Sequence, residues 1–319
     1  MKVLVTGATG LIGREVCAAL TARGDEVVVL TRDTRKARGI FSAATAFRWD
    51  PLVETAPLHA FDGVNAVVHL LGETVGQRWN ASVKTRIRES RVLGTRNLVA
   101  AIEQLNLKPR VLISGSAVGF YGDRGDEELN ETSSCGADFL ARVCRDWETE
   151  GEHAEKLGVR VVLLRTGLVL DPGGGALQQM LCPFRLGLGG RLGHGRQWLP
   201  WIHRDDMTTL ILRAIDTPEW RGPLNATSPN PARNADFART LGAVLHRPAI
   251  LPVPAFAMRL KFGEFTDVAL LASQRAVPNK AVSSGFCFAH PLLAEALAHL
   301  LETSKRKSEM KGGAHVACA

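Results

Sequence analysis

A chain of 319 residues, 45% hydrophobic and 22% charged, is long enough for one large core plus a smaller lobe and has the balance of a soluble globular protein, which excludes disordered and fibrous classes. Its net charge of +7 comes without a nucleic-acid-binding motif, so the basic balance points to phosphorylated small ligands and not to nucleic acid. No apolar run approaches bilayer length, no signal peptide is expected where a strand begins at residue 2, and six scattered cysteines (Cys17, Cys135, Cys144, Cys182, Cys287, Cys318) lack any C-x-x-C pair. The expectation is a cytoplasmic protein with reduced thiols, no metal and no membrane contact.

The opening stretch organises the rest. Val3 to Val5 reads as a buried strand, glycines follow at 7, 10 and 13, and Leu11 to Ala22 repeats its apolar residues at helical spacing. Strand, tight turn and helix in that order let the backbone approach a pyrophosphate carried on the helix N-terminus. A second strand, Glu26 to Leu30, ends in Thr31-Arg32, with Arg35 and Lys36 close behind. At this place a carboxylate would bond a ribose 2′-hydroxyl, whereas an arginine accommodates a 2′-phosphate, so the cofactor expected is NADP(H).

Further strands are expected at Ala46 to Trp49, Ala66 to Leu71, Arg110 to Ser114, Val159 to Leu164 and Leu224 to Ala226. Helices are expected over 79–104, over Ala137 to Leu157 and over Asn234 to Leu245, the last started by an Asn234 cap. This alternation predicts an α/β fold, a doubly wound parallel sheet of the Rossmann type with a smaller C-terminal substrate lobe. Residues 1–170 would form the NADP-binding domain, with 201–230 returning to it. Residues 171–200, dense in glycine, and 231–303 would form the lobe, and 304–319, without apolar periodicity, a disordered tail.

The landmarks together resemble the extended short-chain dehydrogenase/reductase superfamily of nucleotide-sugar epimerases and dehydratases. Within it, they look most like the atypical epimerase-like proteins with their own C-terminal domain that are sometimes labelled cell-division inhibitors. The residues behind this are Thr6 to Gly13, His69-Leu70-Leu71-Gly72-Glu73, Arg78-Trp79-Asn80, Glu89-Ser90-Arg91, Leu112 to Ala117, Tyr121-Gly122-Asp123, Leu164 to Gly167, Pro183 to Gly190, Trp201 to Asp206 and Gln274 to Pro278. The resemblance implies NADP(H) held by Gly7, Thr9, Gly10, Leu11, Ile12 and Gly13, by Thr31 and Arg32 at the ribose phosphate, and by Leu70 and Leu71 along the fourth strand with Gly72 at its close. It also implies cofactor contacts from Arg86, Arg91, Ser114 and Arg165.

Catalysis in that superfamily uses a tyrosine and a lysine four residues later on the helix after strand five. This chain departs from the pattern. Its one tyrosine, Tyr121, lies in the loop after that strand with Gly125 four places on, and the helix from Phe139 to Glu148 holds no Tyr-x-x-x-Lys at any register. Ser116 stands where the resemblance puts a serine that polarises a substrate oxygen, and Tyr121 is the second catalytic candidate. Glu73 and Cys144 are further titratable groups, and Arg185, Arg191 and Gln197 are candidates for clamping an anion. Each has an ordinary structural alternative: a turn cap, a packed ring, an ion pair, a buried thiol. Two functions compete: an NADP(H)-dependent oxidoreductase or epimerase-like enzyme on a small hydroxylated or carbonyl substrate, and a catalytically silent NADP(H)-binding redox sensor. A small-molecule substrate is the expected partner, with a homodimer compatible with the sequence.

Overall fold

The computed structural model describes residues 1–313. In chain order its elements are β1 (Lys2–Thr6), α1 (Leu11–Ala22), β2 (Glu26–Thr31), α2 (Thr34–Ile40), β3 (Thr45–Arg48), β4 (Ala66–His69), α3 (Ala81–Glu103), β5 (Val111–Ala117), β6 (Glu128–Leu129), α4 (Phe139–Glu152), β7 (Arg160–Thr166) and β8 (Leu168–Leu170). There follow α5 (Gly175–Arg185), β9 (Trp198–Leu199), β10 (Trp201–His203), α6 (Arg204–Asp216), β11 (Gly222–Ala226), β12 (Ala232–Arg233), α7 (Asn234–Val244), α8 (Ala255–Phe262), β13 (Arg275–Ala276), α9 (Asn279–Ser283) and α10 (Leu293–Gly313).

Seven strands pair in parallel in the order β11-β7-β5-β4-β1-β2-β3. Parallel strands joined by crossover helices bury both sheet faces, which is why their sequences are near-continuous Val, Ile and Leu and not alternating. Successive residues still go to opposite faces: Val3 and Val5 enter a core with Val16 and Leu20 of α1 and Leu210 and Ile211 of α6. Leu4 enters the other core with Leu98 and Ile102 of α3. The order reverses between β1 and β4, and the crevice outside those strand ends is where such sheets take ligands.

Capping sets the helix boundaries. Asn80 Oδ1 accepts the Val83 N–H (2.9 Å) and starts α3, and Asp138 Oδ1 accepts the Ala141 N–H (2.9 Å) and starts α4. The signal for α2, absent from the sequence reading, is the same: Asp33 Oδ1 accepts the Lys36 N–H (2.9 Å). Asn234, by contrast, is not the cap of α7. That position is Arg233, and Asn234 Oδ1 instead accepts the Leu192 N–H (2.7 Å), tying the glycine-rich stretch to the lobe. The expected tail also differs, because α10 continues as helix to Gly313; Lys, Arg, Glu and Met are good helix formers even without an apolar stripe. Residues 314–319, with Cys318, lie outside the described residues. Among the described residues no helix is long and apolar enough to cross a membrane.

His69, at the end of β4, is wholly buried between Thr6 Oγ1 (2.8 Å) and Thr95 Oγ1 (3.0 Å), and burial pushes its pKa from 6.5 down to about 3. An unfolded histidine takes up a proton below its ordinary value while the folded one stays neutral. The contribution is therefore complete above 6.5 and is lost as the pH falls from there toward 3, at about 1.4 kcal/mol per pH unit. In urea titrations the stability advantage of wild type over His69→Gln should shrink by up to about 2.7 kcal/mol between pH 6.5 and about 4.5. A constant difference across that range would remove this residue from the acid response.

Candidate functional site

The loop after β1 is shaped by its glycines. Gly7 has φ +66°, and a Cβ there would stand 2.6 Å from the Leu70 carbonyl oxygen; a Cβ on Gly13 would meet the Gly7 carbonyl oxygen at less than contact distance. No other residue lets the loop pass so close to the end of β4 while α1 starts directly beneath it. The loop therefore lays the free backbone N–H groups of the first turn of α1 against an open cleft.

That cleft, about 420 Å³, is lined by Gly7, Thr9 and Gly10, by Thr31 and Arg32 at the end of β2, by Leu70, Leu71 and Gly72 after β4, and by Arg86 of α3. The structure thus brings these nine expected residues together. Lys36, on α2, joins Arg32 at the same end, and neither makes an ion pair among the described residues. Leu11 faces a neighbouring groove against Gly173, Gly174 and Gly175. Ile12 packs on the core behind the loop, and Gly13 serves the close approach of α1.

A second, largely apolar cavity of about 360 Å³ opens beside the cleft, between the end of β5, α4 and the C-terminal lobe. Val118, Leu140, Val143, Met180 and Leu270 are among its walls, and Asn234, Gln274, Cys144 and Arg91 supply polar atoms. Arg91 lines this cavity and not the cleft, yet a Cβ on Gly72 would lie 2.9 Å from its guanidinium carbon, so it stands at the junction of the two. Its Nη1 donates to the carbonyl oxygens of Glu73 and Ile87 (both 3.1 Å), and its guanidinium lies 5.2 Å from the Trp147 ring centre. Burial pulls its pKa below the ordinary value, and no carboxylate among the described residues reaches it at ion-pair distance. A half-buried cation without an acid partner at the meeting of two cavities is an anion-binding feature.

On α4 the two positions four apart that face the cavity are Leu140 and Cys144. Burial, then the nearby Glu148, pushes the Cys144 thiol up to about 12, so it is a protonated, weakly reactive group at neutral pH.

Four residues expected at the site lie elsewhere. Arg165 is 3% exposed and makes a two-pronged ion pair with Glu148, Nε to Oε1 at 2.8 Å and Nη2 to Oε2 at 2.9 Å. Burial works against its charge, and the Glu148 bonds and charge more than offset this, so its pKa moves up. Ser116 donates to Glu148 Oε1 (2.6 Å) and is 4% exposed. Tyr121 is fully buried, its hydroxyl 2.7 Å from Asn225 Oδ1 and 2.9 Å from the Asn130 carbonyl and accepting from Arg165 Nη1 (3.1 Å). Burial raises its pKa against the pull of Arg165, so the phenol stays protonated. Ser114 is fully buried beside Gly151, with its hydroxyl unpartnered. Arg165, Ser116 and Tyr121 share one reason, a buried network in which Glu148 takes Arg165 and Ser116 and Arg165 takes Tyr121, while Ser114 stands outside that network. Glu148, which holds that network together, was not singled out from the sequence, although it sits one helical turn after Cys144.

The proposed anion clamp is not assembled either. Arg185 and Arg191 are exposed, with Arg191 Nη1 donating to the His194 carbonyl (2.8 Å), and buried Gln197 donates to the carbonyls of Leu192 and Leu270 (both 3.2 Å). Glu73 has its backbone, not its carboxylate, turned to Arg91.

Sheet order, glycine loop and crevice define a Rossmann-type α/β protein of the short-chain dehydrogenase/reductase kind. The NAD dependent epimerase/dehydratase family pattern matches residues 3–225, and a domain of unknown function, DUF1731, matches residues 253–300. The chain belongs to the NAD-dependent epimerase/dehydratase family. It is 41% identical to the epimerase family protein Mb2239 of Mycobacterium bovis over 298 residues, 93% of this chain and 96% of that protein. It is 34% identical to human epimerase family protein SDR39U1, covering 94% of this chain and 100% of that protein. The crystal structure of human SDR39U1 (isoform 2) with NADPH superposes with a TM-score of 0.84 at 33% identity, over 95% of this chain and 99% of that one. UDP-glucuronic acid 4-epimerase of Bacillus cereus shares the fold, with a TM-score of 0.75 at 18% identity over 95% of this chain and 99% of that one.

Proposed function

We propose that this chain binds NADPH and is an oxidoreductase acting on a small, predominantly apolar carbonyl or hydroxyl compound. The observation that carries the reading is the junction of two cavities: a glycine-loop cleft ending in Arg32 and Lys36, and an apolar chamber opening beside its other end. In this reading the first-turn N–H groups of α1 take the pyrophosphate, Arg32 and Lys36 take the 2′-phosphate, and Arg91 holds negative charge between cofactor and substrate. The SDR39U1 crystal structure with NADPH supports the cofactor. Bound NADPH would supply a hydride to a carbonyl carbon. Leu140, Val143 and Met180 would pack the apolar part of the substrate and exclude water, while the protonated Cys144 thiol is the titratable group of α4 on that wall. A nucleotide sugar suits this chamber poorly, because its hydroxyls and diphosphate would meet a mostly hydrocarbon wall that neither Arg185 nor Arg191 lines.

A second reading rests on Leu140 and Cys144, the two positions of α4 four residues apart on the chamber wall, which offer neither a phenol nor an amine. With no phenol or amine there, the protein would bind NADPH and report it to a partner without turnover. Parallel calorimetric titration with NADPH, NADP+, NADH and NAD+, followed by NADPH consumption assays on apolar aldehydes, ketones and 2-oxo acids, separates the two. Tight, phosphate-selective binding with turnover supports the enzyme; the same binding with no turnover across the panel supports the sensor. Failure to bind any of the four sinks both.

A further inference from the structure

Three histidines and one aspartate from separate parts of the chain converge away from the cleft. His203 is the last residue of β10 and caps α6, Asp205 is in the first turn of α6, His290 precedes α10, and His299 is on α10. Their ligand-capable atoms all lie within 4.8 Å of one another. His203 Nε2 is 3.1 Å from His299 Nδ1, and the His290 ring stacks on both neighbours, with centres 3.8 Å from His203 and 4.4 Å from His299. We propose that His203, His290 and His299 form a binding site for a borderline transition-metal ion of the Zn2+ type, with the Asp205 carboxylate orienting His203, and that this ion clips α10 to the Rossmann core.

Distance supports the assignment first. Two nitrogens on one tetrahedral zinc at about 2.0–2.1 Å stand about 3.3 Å apart, close to the separation already present between His203 and His299. His290 stacks face-on against the other two rings, so ligation through its nitrogen requires a side-chain rotation that turns the ring edge toward the shared point, while its ligand-capable atoms already lie within 4.8 Å of the others. His290 is held in place independently, because the buried Asp206 carboxylate accepts the N–H groups of Ala289 (2.7 Å) and His290 (3.0 Å). His203 is fully buried and His299 exposed, so the site has a rigid floor and an entry for the ion from solvent.

The protonation states also fit. The Asp205 N–H donates to His203 Nδ1 (3.0 Å), so without metal the ring proton is on Nε2 and is shared with His299 Nδ1. A metal takes the place of that proton. The ring proton moves to Nδ1, where the Asp205 carboxylate, now 3.8 Å away, accepts it and the backbone cap bond is given up. Carboxylate, imidazole and metal then form the arrangement that orients ligating histidines in zinc sites. An all-nitrogen inner set with one open position excludes Mg2+ and Ca2+, which require oxygen ligands.

The test uses the full chain, freed of any histidine tag and stripped with chelator. Calorimetric titration with Zn2+ should show one ion per chain at about micromolar affinity or tighter, and Co2+ should give visible absorption of tetrahedral intensity. His299→Gln and His290→Gln, at exposed and half-exposed positions, should each weaken Zn2+ binding by at least about thirtyfold while leaving NADPH affinity unchanged. Zinc should raise the thermal midpoint of wild type and of neither variant. Absence of a saturable site, or a site that survives either substitution, overturns the proposal.

Discussion

Arg32→Ala is expected to weaken NADPH binding by about thirtyfold and to leave NADH binding within about threefold of wild type. A charge-assisted contact to a phosphate contributes about 2 kcal/mol, and each 1.4 kcal/mol is a factor of ten in affinity. Arg32 lies at the end of the cleft where the 2′-phosphate would sit, while the pyrophosphate end, built from Gly7, Thr9 and Gly10, is untouched. Lys36 shares that end, so the Arg32→Ala/Lys36→Ala double variant should lose more than the single one and equalise NADPH and NADH. Calorimetric titrations with both nucleotides give the answer directly. Equal losses for the two would mean that Arg32 acts through the loop and not through the phosphate.

Arg165→Met should destabilise the fold by about 3–5 kcal/mol, because it strands the Glu148 carboxylate, 6% exposed, in a buried environment without its cation. Glu148 would still receive the Ser116 hydroxyl, which cannot replace two charge-assisted bonds. The double variant Glu148→Met/Arg165→Met should recover most of that loss, since two apolar side chains of similar volume leave no buried charge uncompensated. Urea unfolding of the three proteins measures this, and NADPH affinity should remain near wild type throughout because neither residue lines the cleft. A loss of NADPH affinity in the folded double variant would return Arg165 to the cofactor site.

The contrast between Arg32 and Arg165 shows what a linear reading can and cannot see. Both were read as cofactor contacts at strand ends. Arg32 is followed by Asp33, whose carboxylate accepts the Lys36 N–H as the cap of α2 and makes no ion pair with Arg32, so the Arg32 charge stays available. Arg165 points under α4 and meets Glu148, seventeen residues earlier, and nothing in the local sequence announces that encounter. Ser116 and Tyr121 were drawn into the same network. Arg91 moved by a smaller amount, from the cleft to its junction with the apolar chamber, since a residue on the face of α3 is placed by how that helix packs against Trp147 of α4.

The sequence by itself determined the sheet, the glycine loop, the basic end of the cleft at Arg32 and Lys36 and the helices α1, α3 and α4, because each is written in local signals: periodicity, caps and turn chemistry that act within a few residues. Only the tertiary structure decided which polar groups face solvent and which pair beneath the floor. It also decided that the chamber wall at Leu140 and Cys144 is apolar and that His203, His290 and His299 meet nearly a hundred residues apart. Those outcomes depend on long-range packing, where burial forces each charge and donor to find a partner wherever the fold brings one.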